Sequence, residues 1–224
     1  MADTQLDLDD AVHLTRTGDV WLFRGSTVAD RTIRITTNSP INHVGMSVVI
    51  EDLPPLMWHA ELGRALTDMW TGGRHRGVQL HDLREAVELW TTRYKQRAWL
   101  RQLEPPVTRE QEDAVLKTVA RLDGTPFPST TRLLSRWLYG RVPRLPKRSR
   151  TSRTSTKSGK PEGTLETAYC AEVVAITYQA MGLLPATRKP TWYDPGRFWS
   201  GDELSLDAGL RLGDEIAISP GVRA

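Results

Sequence analysis

Cysteine is nearly absent from this chain. Its 224 residues include one, Cys170, which excludes an intrachain disulfide and a zinc site of several cysteines, and fits a reducing compartment. Long apolar runs are also lacking, so no stretch reads as a membrane span. The first ten residues, Met1–Asp10, are acidic and lack the basic-then-apolar order of a secretion signal, so a cytoplasmic location is expected. The HExxH spacing of zinc hydrolases, a helix-turn-helix pattern and internal repeats are missing too.

What is there is a polar, globular composition, 39% hydrophobic and 25% charged, with a net charge of only +3. The basic excess is local. From Arg141 to Lys160 the chain carries Arg141, Arg144, Lys147, Arg148, Arg150, Arg153, Lys157 and Lys160 with no acid between them. Pro, Ser and Thr fill the gaps, and such a stretch buries too little apolar surface to order itself. It reads as a flexible basic insertion at about 141–163, either a solvated loop or a tether to anionic lipid or nucleic acid. The remaining organisation is an acidic leader over 1–17 and one domain over 18–224.

Several elements are legible along that domain. Gly18–Phe23 alternates as a strand, and Ser26 caps a short helix through Ile33 and Ile35. Ile41–Ile50 is a strand with His43 at its entrance, and after the Asp52–Pro55 turn Leu56–Leu62 returns antiparallel beside it. Val78–Leu80 reads as a short strand, Asp82–Glu88 as a helix and Arg97–Leu103 as a further strand. Thr108-Arg-Glu-Gln111 has the spacing of a capping box and opens a helix that Asp123-Gly124 breaks. A helix over Leu133–Tyr139 and short strands near Leu210–Leu212 and Ile216–Ile218 complete the set. Strands and helices without regular alternation indicate an α+β fold.

The lone thiol lies in Thr167–Gly182, just ahead of a helically spaced apolar run that Gly182 closes. A cysteine in the first turn of a helix meets free N–H groups and the positive end of the macrodipole. Both favour a thiolate and an oxyanion. The bland alternative is a small buried anchor of a core helix. A cysteine nucleophile needs an imidazole to take its proton, and that imidazole needs a polar partner. His13, His75 and His81 stand in polar or Gly/Arg-rich surroundings and read as surface residues. His43 opens an apolar strand, where an imidazole is out of place without a task. Period-two alternation sets His59 and Glu61 on one face of the next strand, so either can support His43. The competing use of His43 and His59 is a metal site completed by Glu61 or Asp19.

The order of the motifs carries a resemblance. Gly18-Asp-Val-Trp-Leu-Phe23, Asn42-His-Val-Gly-Met46, Gly124-Thr-Pro-Phe127, Tyr169-Cys-Ala-Glu-Val-Val174 and Asp194-Pro-Gly-Arg-Phe198 together resemble the circularly permuted NlpC-type papain-like hydrolases. The bacterial YiiX/YebB-like branch, related to lecithin:retinol acyltransferase-like proteins, is the most similar. The resemblance implies a permuted papain-like α+β fold, with an antiparallel sheet against the nucleophile-bearing helix. It makes Cys170 the nucleophile, His43 the general base and His59 the third polar residue. Many bacterial members have Glu at that last position and the acyltransferase-like branch has His, so Glu61, two residues on, stays in play. The Cys170 N–H would form part of an oxyanion hole, with Tyr169 beside it. Asn42 departs from the usual Ser or Trp before the histidine. The activity implied is cleavage of an amide, ester or thioester through an acyl-enzyme, without cofactor or metal, on a small peptide or lipid-type substrate. The basic insertion would add contact with anionic membrane. The rival classes are an inactive binding module of the same fold and a nucleic-acid-binding protein using Arg141–Lys160.

Overall fold

The structure, a computed structural model, describes residues 5–25, 39–126, 162–202, 204–207 and 209–219, with 162–168 described as helix backbone. The helix expected after Ser26, the one over Leu133–Tyr139, Phe127 and nearly all of the basic insertion lie outside the described residues. Among those described, the order is β1 (Gln5–Asp7), α1 (Leu8–Leu14), β2 (Val20–Arg24), β3 (His43–Val48), β4 (Leu56–Glu61), β5 (Gly77–Asp82), α2 (Leu83–Glu88), β6 (Arg97–Arg101), β7 (Leu103–Glu104), α3 (Arg109–Leu122), α4 (Glu162–Ala180), β8 (Arg211–Leu212) and β9 (Ile216–Ser219). A π-helical turn, Leu89–Arg93, extends α2.

Seven strands form one sheet in the order β1-β9-β6-β2-β3-β4-β5. Every pairing is antiparallel except β1 with β9, so the fold is mixed α+β around a largely antiparallel sheet. Residues 5–14, expected as part of an acidic leader, supply β1 and α1 and bury Leu8, Ala11 and Val12. Pairing with β9 at the other end of the chain draws them in.

Helices cover both faces of the sheet, so the helix that carries Cys170 is one of several packed on it. On one face α3 and α4 pack against Val20, Leu22, Val44, Met46, Val48, Trp58, Val78 and Leu80. On the other, α1 and α2 with Trp90 pack against Trp21, Phe23, Met57 and Leu100. Strands buried on both sides lose the apolar/polar alternation of a half-exposed sheet, which is why β3 and β4 are buried at all six positions each. Each large side chain enclosed this way, Trp21 and Trp58 among them, contributes about 2–3 kcal/mol.

Local chemistry sets the ends. Thr108 and Gln111 exchange side-chain-to-backbone hydrogen bonds of 2.9 and 3.4 Å at the start of α3, the capping box expected there. Gly182, at φ +75°, turns the chain after α4 while the Leu183 N–H donates to the Tyr178 carbonyl at 2.8 Å. Two buried charges tie distant segments together. Asp19 accepts from the N–H groups of Arg16 and Leu103 at 2.7 and 2.8 Å. Arg101 donates to the carbonyls of Gly213, Phe198 and Leu212 at 2.6, 2.6 and 3.0 Å, fastening the C-terminal strands to β6.

Candidate functional site: a buried histidine chain

The register of three strands assembles the site. Phe23 of β2 lies opposite His43 of β3, and His59 of β4 lies opposite Gln79 of β5. Alternation then sends His43, His59, Glu61, Gln79 and His81 to the face that also carries Phe23, Met57 and Trp90. Gly45 leaves the room they need, since a Cβ there would meet the Met57 Sδ at 2.5 Å and the His59 Cβ at 3.4 Å. Trp90 roofs the group, its ring 5.0 Å from that of His43 and 4.9 Å from that of His59.

The rings are joined end to end. His43 Nε2 is 3.2 Å from His59 Nδ1, His59 Nε2 is 2.9 Å from His81 Nδ1, and His81 Nε2 is 3.2 Å from the Gln79 carbonyl oxygen. The Gln79 amide nitrogen faces the carbonyls of Glu61 and Gly77, both at 3.5 Å, which directs its oxygen to His81. An amide oxygen only accepts, so His81 Nε2 carries the hydrogen and His81 Nδ1 is an acceptor. The same logic passes along the chain: His59 donates from Nε2, His43 donates from Nε2, and His43 Nδ1 is left as a bare acceptor. Burial keeps all three rings neutral. It lowers His43 to about 3 and His81 to about 4. For His59 burial comes first and the neighbouring imidazoles add to it, holding it well below its ordinary value. All three residues are buried, His43 at 7% exposure, His59 at 0% and His81 at 1%.

The other expected site residues fall as follows. Glu61 reaches Trp90 Nε1 at 3.4 Å and His81 Nδ1 at 4.0 Å, so of the two candidates for supporting His43 it is His59 that makes the bond. Asp19 is spent on the Arg16 and Leu103 backbone, away from the histidines, with burial raising its carboxyl to about 6. Cys170 is fully buried and packs in the core shared with Val44, Met46 and Trp58, whereas His43 stacks with residues of the core on the other face. Tyr169 is buried in the same core as Cys170. The expectation that Cys170 opens its helix is corrected: α4 begins at Glu162, eight residues earlier. Two turns into a helix, the N–H groups of Tyr169 and Cys170 are committed to carbonyls four residues back and are not free to hold an oxyanion.

His81, expected at the surface, is instead the third ring of the chain. The signal was present, because Gln79 and His81 alternate on one face of β5. What was missing was the knowledge that β5 lies beside β4. His59, Glu61 and His81 also lie within reach of a shared cation, but the 2.9 Å between the two rings is a made hydrogen bond, and the set reads as a proton-ordered chain.

No family model matches the sequence, and no curated protein matches it. Among solved structures, this chain is similar to the metalloprotein YiiX from Escherichia coli O157:H7 (DUF1105), with 19% identity and a TM-score of 0.44. The match covers 74% of this chain and 65% of that one, so it spans less than two thirds of YiiX. No helix among the described residues is long and apolar enough to cross a membrane.

Proposed function

We propose that this protein is a hydrolase or acyltransferase acting on an amide, ester or thioester carbonyl, with His43 as general base, His59 holding its tautomer and Cys170 as the nucleophile. One observation carries the base: the hydrogen-bond chain from Gln79 through His81 and His59, which runs in one direction and ends on the bare Nδ1 of His43. A neutral imidazole whose far nitrogen is already donating presents its other nitrogen as a proton acceptor, while the burial that lowers His43 to about 3 works against the imidazolium that proton transfer forms. The step requires the sulfur, which the fold sets across the sheet from His43, to reach its Nδ1; the thiol then attacks the carbonyl carbon, its proton moves to His43 Nδ1, and the leaving group departs with that proton. Water or an acceptor then releases the acyl group from sulfur. The motif order from Gly18 to Phe198 supports this chemistry and a small peptide or lipid-type substrate.

A specific observation favours a second reading, a binding module in which Cys170 only fills the core. The sulfur is wholly buried, two turns inside α4, in the core across the sheet from His43. Alkylation separates the two. A working nucleophile requires that iodoacetamide, or an acyl or peptidyl electrophile, modify Cys170 in the folded chain at neutral pH, and that His43→Ala slow the modification. Labelling that waits for unfolding rules out the nucleophile and leaves Cys170 as a residue of the core, as the binding-module reading requires. The proposed membrane contact of Arg141–Lys160 is read by co-sedimentation with anionic vesicles before and after deleting that segment. Steep salt-dependent DNA binding would instead favour the nucleic-acid reading.

A further inference from the structure

A second set of ligand-type side chains gathers away from the histidine chain. Asp68 and His75 stand in the loop between β4 and β5, and Asp123 ends α3. One donor atom from each lies within 4.8 Å of the others. Asp68 is fixed in advance: its side chain is fully buried, Thr71 donates to Oδ2 through both N–H and hydroxyl, and the Leu80 N–H donates to Oδ1 at 2.9 Å. Asp123 is the opposite case. Both its carboxyl oxygens are buried without a hydrogen-bond partner, and so is Nδ1 of His75. Orphaned buried oxygens are costly, and two carboxyl groups this close repel when ionised. A cation among the three residues removes both penalties.

We propose that Asp68, His75 and Asp123 bind one divalent first-row transition-metal ion, for which Zn2+ is the fitting probe. One imidazole with two carboxylates suits such an ion, whereas Ca2+ and Mg2+ favour oxygen alone. The spacing agrees. His75 Nε2 and Asp68 Oδ2 are 3.3 Å apart. Without an ion the two atoms form a hydrogen bond, and the same separation suits two ligands of one ion. A tetrahedron with bonds of about 2.0–2.1 Å has edges of about 3.3–3.4 Å. Three protein ligands leave a fourth position for water, and His75 keeps 26% of its side chain exposed. The segments that carry the ligands are already joined, Val78 N–H donating to the Thr125 carbonyl at 3.0 Å and Gly124 N–H to the Val78 carbonyl at 3.1 Å. The ion clamps the β4–β5 loop to the end of α3, and with it β5, the strand that carries Gln79 and His81.

The test is titration of Zn2+ into the full chain after chelation, in competition with a chromophoric chelator, with thermal melting alongside. One equivalent per chain and a raised Tm are expected. Asp123→Asn and His75→Gln should each weaken binding by at least about 100-fold while far-UV circular dichroism stays native. His59→Gln should leave the affinity unchanged. X-ray absorption should find one imidazole among oxygen neighbours. Failure to reach one equivalent at micromolar Zn2+ overturns the site, as does affinity retained in both ligand variants or lost only in His59→Gln. If Asp123→Asn does not fold, His75→Gln at its partly exposed position decides the matter.

Discussion

Acid should destabilise this protein through its three buried imidazoles. In the folded chain burial holds His43 at about 3 and His81 at about 4, with His59 also well below its ordinary value. In the unfolded chain each titrates near 6.5, so below that pH the unfolded state takes up protons that the folded state refuses. Stability is therefore complete above the unfolded pKa and falls as the pH drops through and below it. Between about pH 7 and about pH 5.5 each ring costs about 1.3 kcal/mol, about 4 kcal/mol for the three. Asp19 and Asp123 act in the opposite direction, because carboxyls raised to about 6 and about 7 keep protons in the folded state that the unfolded state has released. Asp19 returns about 0.8 kcal/mol over the same window, and Asp123, discounted for screening at its half-open position, about 1 kcal/mol. The rings win, with a net loss of about 2 kcal/mol against a typical total of about 5–15 kcal/mol. Urea denaturation followed by circular dichroism across that pH range measures it. In His81→Gln the acid loss should shrink by about 1.3 kcal/mol, one ring's share. A stability that is flat or rises on acidification, or an identical fall in the variant, refutes the assignment of buried neutral rings.

Two further substitutions probe the frame. Thr108→Ala removes the acceptor for the Gln111 N–H at the start of α3 and should cost about 1 kcal/mol, read as a lowered Tm. Gly77→Ala places a Cβ 2.1 Å from the Thr125 carbonyl at a residue with φ +125°, whereas Gly124→Ala, at φ +71°, meets nothing within 4 Å. The first should destabilise by more than about 3 kcal/mol and the second by about 1–2 kcal/mol. Equal Tm losses in the two would contradict the close packing of β5 on the end of α3.

Where local chemistry decides, the sequence was sufficient. The capping box at Thr108, the turn at Gly182, the strand entering at His43 and its antiparallel return through His59 were all readable from spacing and alternation, because each depends on neighbours within a few residues. That alternation also set His59 and Glu61 on one face, though not which of them meets His43; the three-dimensional register gave the bond to His59. Tertiary structure alone decided the rest. It joined Gln5–Asp7 to Ile216–Ser219, set β5 beside β4 so that Gln79 and His81 orient the other two rings, and drew Asp68, His75 and Asp123 together. It also set the depth of Cys170 within α4, since that helix begins in a polar stretch with no apolar periodicity to announce it. A strand's pattern states which face it buries but not which strand lies beside it. Partnership is settled by burial summed over the whole sheet, a quantity that no window of sequence contains.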